Sequence, residues 1–140
     1  MRRGRRTVVL DTNVFVAAGF RTKSDSARIL RAVRATDLRM VWDEETRRET
    51  RRVLERIPPL SWADVADLFR NEDRWPTTTD PGRFGQVPDA TDRKFAALAH
   101  ASGAVLISQD DDLLAHPERI DVLVLTPSEF LSDRWATLRA

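Results

Sequence analysis

Cysteine is absent from this chain of 140 residues, and histidine and glycine are scarce. Without cysteine the chain has no thiolate nucleophile, no disulfide and no Cys-ligated zinc site. The two histidines, His100 and His116, do not stand at the spacing of a zinc hydrolase. The five glycines form neither a phosphate-binding loop nor the glycine pattern of a nucleophilic serine. Several familiar enzyme classes are therefore excluded before any motif is considered.

Long apolar runs are also missing. No stretch approaches the roughly 18 apolar residues of a membrane span, and the arginine-rich start lacks the apolar segment of a signal peptide. We therefore expect a soluble, cytoplasmic protein. The length suits a single domain over residues 1–140, with residues 1–6 forming a basic, flexible arm.

Positive charge is concentrated at the amino terminus. Of 23 basic residues, four lie within residues 2–6, which leaves 19 basic and 22 acidic residues from residue 7 onward. Such an arm could contact nucleic-acid phosphates or could simply be a solubilising tail, and the sequence leaves both open.

Hydrophobic periodicity predicts strands that alternate with helices. The predicted strands are 7–10, 39–42, 104–107 and 122–125, and the loop-like segment 74–88 leaves room for one more. The predicted helices are 24–36, 44–56, 60–71, 89–102 and a C-terminal helix opened by Thr126-Pro127-Ser128-Glu129. This order predicts an α/β fold, a three-layer α/β/α sandwich around a central, mostly parallel sheet of four to five strands.

Polar side chains follow two of the predicted strands where each strand ends. Asp11 and Asn13 follow the first, while Ser108 and Asp110 follow the strand at 104–107. Carboxyl ends of parallel strands meet at one edge of a sheet, which is where such sheets bind ligands. A helix that follows a strand starts at that same edge. The further acidic candidates there are Asp92 in the first turn of helix 89–102, with Asp89 and Asp112 as accessories.

Carboxylates that converge repel one another and generally need a divalent cation to offset the repulsion. Magnesium, or manganese in its place, prefers oxygen ligands of this kind. Each acid also has a simpler interpretation. Asp89 could cap its helix while Asp92 interacts with the helix dipole, and Glu49 could belong to a solvated ion-pair face. The coincidence of several carboxylates at one edge favours the metal site.

The chain resembles the PIN domain family over nearly its whole length. Residues 8–17 resemble that family's opening strand with its Asp-Thr-Asn signature, and Glu49-x-x-x-Val53-Leu54 is similar to its glutamate-bearing helix. Residues 87–99 and 106–114 resemble the second half, as do residues 126–131. Within the family, the pattern is most similar to VapC-like toxin ribonucleases of type II toxin–antitoxin systems.

This resemblance implies an acidic quartet that binds Mg²⁺ or Mn²⁺ and catalyses RNA hydrolysis, namely Asp11, Glu49, Asp92 and Asp110. Asn13 and Ser108 would orient ligands or the attacking water. Glu44 and Glu45, one turn before Glu49, are alternative positions for that ligand. Ser108 stands where the family more often has threonine, and Gln109 where glycine is commoner.

Partners are also implied by the resemblance: an RNA substrate, a small antitoxin that occludes the acidic site, and a second copy of the chain. The helices near 24–36 and 60–71 are candidate dimer surfaces. Arg48 and Arg52 could contact phosphates, although a solvated helix face is the competing interpretation.

Two other functions remain open. Haloacid dehalogenase-type phosphatases also begin with a strand that ends in aspartate. They need a second aspartate where this chain has Asn13 and a downstream lysine, for which only Lys23 and Lys94 exist. Alternatively, the domain could bind RNA or a protein without turnover.

Overall fold

Short apolar runs form one parallel sheet in residues 6–109 and 122–135, the part of the chain that the computed structural model describes. The strands are β1 (Arg6–Leu10), β2 (Leu38–Met40), β3 (Val105–Ile107) and β4 (Val124–Leu125). They lie in the order β2-β1-β3-β4, and every neighbouring pair is parallel. β3 and the last three residues of β1 are buried, as expected for central strands covered on both faces.

Helices connect these strands, and most begin at a capping side chain. Their bounds are α1 (Thr12–Phe20), α2 (Asp25–Arg34), α3 (Glu44–Glu55), α4 (Ala90–Ser102) and α5 (Pro127–Glu129), which continues as a π-helical segment, Phe130–Trp135. The predicted helix opening at residues 126–129 is present as a capping box, in which the Thr126 and Glu129 side chains each bond to the other residue's backbone N–H. None of the helices in the described ranges is both long and apolar enough to span a membrane.

The core has two layers, one on each face of the sheet. Val8 packs in a cluster with Ile29 of α2, whereas the next residue, Val9, packs in a second cluster with Phe95 of α4. This alternation follows from the two-residue period of a strand. The predicted α/β/α sandwich with a mostly parallel sheet of four to five strands is therefore confirmed, and four strands lie in the described residues.

The predicted helix at 60–71 is wrong. Three short 3₁₀ turns replace it: Trp62–Asp64, Ala66–Leu68 and Asn71–Asp73. In an α-helix the Asp64 carbonyl would accept from the N–H of Leu68, but here it accepts from Arg34 Nη2 at 3.0 Å. The N–H of Leu68 bonds to the Val65 carbonyl instead. The backbone here follows the i→i+3 pattern of 3₁₀ turns, and a tertiary contact from α2 holds the Asp64 carbonyl in this arrangement.

Smaller differences concern the strands and the amino terminus. Arg6, the last residue of the predicted arm, is the first residue of β1 and pairs with Leu38. Residues 74–88 contribute no strand in the described structure, only an isolated bridge between Arg74 and Trp42 and a 3₁₀ turn at Pro81–Phe84. The observed strand β2 ends at Met40, whereas the predicted strand continues to Trp42.

We expect Gly103→Ala to lower the free energy of unfolding by about 1–2 kcal/mol, the cost of a left-handed conformation for a residue with a side chain. Gly103 ends α4 with φ of 72°, and an added Cβ would meet nothing within 4 Å, so that only the backbone is strained. Gly85→Ala is the control, because Gly85 has φ of −60°. Urea unfolding followed by circular dichroism measures both, and equal destabilisation would contradict the prediction.

Candidate active site

Asp11 lies where β1 passes into α1. Its backbone N–H still donates to the Ile107 carbonyl of β3, at 3.0 Å, so the ends of the two strands stay together. The side chain is buried, with 3% exposed. Oδ1 accepts from the N–H of Thr12 at 2.7 Å, and Oδ2 accepts from Ser108 Oγ at 2.7 Å. Asp11 therefore caps α1 and also contacts the polar end of the neighbouring strand, as the strand-edge argument predicts.

The residues after Asp11 and Ser108 are also joined. The N–H of Gln109 donates to Asn13 Oδ1 at 3.2 Å, and its side-chain Nε2 contacts Ser26 Oγ of α2 at 3.5 Å. Gln109 thus ties the chain that leaves β3 to both α1 and α2. Asp110 and Asp112, which follow it in the sequence, lie outside the described residues.

Glu49 differs in burial from the other acids of α3. It is 9% exposed. Glu44 and Glu45 are more exposed and form ion pairs with Arg47 at 3.7 Å and Arg48 at 3.6 Å. The solvated ion-pair interpretation thus describes Glu44 and Glu45, while Glu49 points into the protein.

A pair of buried hydroxyls connects α3 to the start of α1. Thr50 Oγ1 lies 3.1 Å from Thr12 Oγ1, and the two residues are 1% and 8% exposed. Because Thr12 follows Asp11 and Thr50 follows Glu49, this contact brings the backbones of the two acidic residues close together. Sequence analysis missed Thr50, because its burial comes from the contact of α3 with α1 and not from a pattern within α3.

Two cations contact the Glu49 carboxylate. Arg52 of the same helix donates to Oε1, and Lys94 Nζ of α4 lies 3.5 Å from the same oxygen. Arg52, predicted as a phosphate contact, is therefore already paired with a site residue. Arg48, the other predicted phosphate contact, is on the surface, with 69% of its side chain exposed.

Asp92 and Asp89 have different environments at the start of α4. Asp92 is 7% exposed and lies in the first helical turn. Asp89 is exposed, and its Oδ1 accepts from the Thr91 N–H at 2.9 Å and the Thr91 hydroxyl at 2.8 Å. The hydrogen bonds from Thr91 lower the pKa of Asp89 below its ordinary value. The capping interpretation of Asp89 is confirmed.

The donor set fits a hard divalent ion but is not complete in the described residues. Asp11, Glu49 and Asp92 offer only carboxylate oxygens, which suit Mg²⁺ or Mn²⁺. Within residues 6–109 and 122–135, no group of three or more histidines, aspartates or glutamates is arranged to hold a metal ion. A full site would therefore need a ligand from elsewhere in the chain, and Asp110 immediately follows the anchored Gln109 in sequence.

Comparisons with known proteins agree with this architecture. A family model described as PIN domain matches residues 7–112. No curated protein matches the chain. A structure of FitAB bound to an IR36 DNA fragment has a TM-score of 0.57 at 17% identity, covering 86% of this chain and 94% of that one. A crystal structure of FitAcB from Neisseria gonorrhoeae has a TM-score of 0.58 at 17% identity, covering 86% and 98%. These similarities support the fold.

We expect Ser108→Ala to lower the free energy of unfolding by about 1–3 kcal/mol, because Asp11 loses a buried, charge-assisted hydrogen bond. Ser108→Thr keeps the hydroxyl and should lower the free energy of unfolding by less. The control is Ser102→Ala, since the Ser102 hydroxyl donates only to helix carbonyls, at 2.8 Å for Leu98. Urea unfolding compares the three, and a Ser108→Ala cost no greater than that of Ser102→Ala would disprove this role.

The cap at Asp89 predicts a pH dependence. Because its folded pKa is lowered, Asp89 stabilises the fold above the unfolded pKa, and this contribution is lost as pH falls through the folded pKa. Asp89→Ala should cost about 1 kcal/mol near neutral pH and progressively less in acid. Asp89→Asn retains a capping oxygen but does not titrate. Unfolding free energies measured against pH should separate the variants, and a constant cost for Asp89→Ala would refute the assignment.

Proposed function

The chain belongs to the PIN domain family, and on that premise we propose that it is a metal-dependent endoribonuclease, the toxin component of a toxin–antitoxin pair. The main supporting observation is that three carboxylates are buried. Asp11, Glu49 and Asp92 are 3%, 9% and 7% exposed and come from three separate elements. Burial of several acids is costly for a fold unless they are paired or bind a cation.

We propose that the metal ligands are Asp11, Asp92 and Asp110, with Glu49 as a fourth. When bound, Mg²⁺ or Mn²⁺ would neutralise phosphate charge and lower the pKa of an attacking water. The chain's own residues prepare this arrangement. Ser108 and the N–H of Thr12 fix the orientation of the Asp11 carboxylate, and Asn13 holds the backbone that leads to Asp110.

The proposed substrate is RNA, following the family resemblance. Arg48 is exposed on α3, where a phosphate would compete with Glu45 for it, and Arg52 is partly exposed and pairs with Glu49. The DNA fragment in the similar FitAB structure is a ligand of that complex. For this chain we propose a cytoplasmic toxin with a cognate antitoxin as partner. A homodimer and a single domain spanning residues 1–140 complete the proposal.

The test is cleavage of pooled cellular RNA by the purified protein with Mn²⁺ or Mg²⁺, and with EDTA. Asp11→Asn and Asp92→Asn should each slow cleavage by about a hundredfold or more, because several kcal/mol of charge stabilisation depend on the ligands. Asp25→Asn is the matched control for Asp92, since Asp25 also lies in the first turn of a helix but pairs with Arg28 on the surface.

RNA binding separates the enzyme from a binding module. In EDTA, Asp11→Asn should retain RNA affinity, because without the metal a carboxylate only repels phosphates and its loss weakens no contact with them. If the wild type binds RNA but leaves it intact with either metal, the result would favour a module that binds RNA without cleaving it. Cleavage that persists in EDTA or in both variants would exclude the proposed site.

A further inference from the structure

Lys94 is a charged residue of α4 whose role the proposed function does not explain. It lies two residues beyond Asp92, and its ammonium contacts Glu49 of α3 at 3.5 Å. The side chains of Lys94 and Glu49 are only 21% and 10% exposed. Arg52, the other cation on the same carboxylate oxygen, has 47% of its side chain exposed. Lys94 is therefore the cation of the pair that is better shielded from water.

Shielding from solvent determines which cation stabilises the Glu49 carboxylate more strongly. Ion pairs in contact with solvent are weak because water and salt screen them, and screening is smaller for pairs withdrawn from the surface. A buried carboxylate that loses such a partner is left with uncompensated charge. In the structure as it stands, Lys94 thus balances a charge that a divalent ion would otherwise balance.

The neighbouring cation on α4 has a different task. Arg93 Nε donates to the Val87 carbonyl at 2.9 Å, and Nη2 approaches the Gly85 carbonyl at 3.4 Å. Arg93 therefore holds the loop that precedes α4, while Lys94 turns toward α3. The chain offers two consecutive positive charges on one helix, one that contacts the proposed site and one that does not.

We infer that Lys94 is a positioning residue, a built-in counter-cation that holds Glu49 against α4 and competes with the divalent ion for this carboxylate. The inference rests on the proposed function, because it concerns the same site. Lysine suits the role, since its ammonium is a compact point charge on a flexible stem and can leave Glu49 without backbone movement. The ammonium lowers the affinity of the site for the ion and keeps Glu49 in place until the ion binds.

The test is the affinity of the full-length protein for Mn²⁺, measured by calorimetry. Lys94→Met keeps the length of the stem and removes the charge. We expect it to bind Mn²⁺ about three- to tenfold more tightly, the range expected for loss of a partly screened opposing charge. Without metal its melting temperature should be lower than that of the wild type, and its rise on adding Mn²⁺ should be larger.

Three further variants separate a direct effect from a general one. Arg93→Met removes a charge from the same helix turn without touching Glu49, so its Mn²⁺ affinity should stay near that of the wild type. Lys94→Arg retains the charge, so its Mn²⁺ affinity should also stay near that of the wild type. In a Glu49→Gln background, Lys94→Met should no longer change Mn²⁺ affinity, because the carboxylate for which lysine competes is gone.

Each outcome decides the matter. A lower melting temperature for Lys94→Met with unchanged Mn²⁺ affinity would make the pair a structural link only and overturn the inference. An equal increase in Mn²⁺ affinity for Arg93→Met would overturn the inference as well. So would an increase caused by Lys94→Met that persists in the Glu49→Gln background. If Lys94→Met does not fold, Lys94→Gln is measured instead under the same criteria. Failure of the wild type to bind Mn²⁺ would contradict the proposed function itself and the inference with it.

Discussion

The parallel pairing of β1 with β3 is the constraint on which the rest of the structure depends. Leu10 pairs with Ile107, and the N–H of Asp11 donates to the Ile107 carbonyl at 3.0 Å. With the two strand ends in this register, Asp11 and Ser108 leave the sheet side by side. A shift of one residue would turn every side chain of the strand to the opposite face and separate them. The register that buries the core also assembles the polar edge.

Around this edge the protein stabilises acidic groups with several different partners. The Asp11 carboxylate is held by a hydroxyl and a backbone N–H, whereas Glu49 is held by Arg52 and Lys94. The Thr12–Thr50 contact fixes the two regions relative to each other. Buried carboxylates become tolerable when hydrogen bonds and cations satisfy them. The same contacts limit how far each group can move, as a site that positions a substrate requires.

Local sequence signals were reliable where a structure depends mainly on nearby residues. The cap at Asp89, the end of the helix at residue 102 and the helix opening at Thr126 all occur at the predicted places. The prediction for segment 60–71 was wrong because its hydrophobic spacing suits a helix, whereas the folded chain forms short 3₁₀ turns held by contacts with other elements, such as that of Arg34 with the Asp64 carbonyl. Helix α1 buries Val14, Phe15 and Ala18 on one face, but its less buried positions, including Phe20, are apolar as well, and periodicity therefore does not reveal it.

The sequence by itself determined the α/β class, the parallel sheet and the identity of the acids that follow its strands. These follow from short-range patterns: apolar runs of strand length, helical spacing between them, and polar residues where a run stops. Only the tertiary structure decided that Glu49 is buried while Glu44 and Glu45 are not, and that Lys94 reaches across to it. The physical reason is that burial and ion pairing depend on how α3 packs against α1 and α4, and sequence spacing within a single helix does not encode that packing.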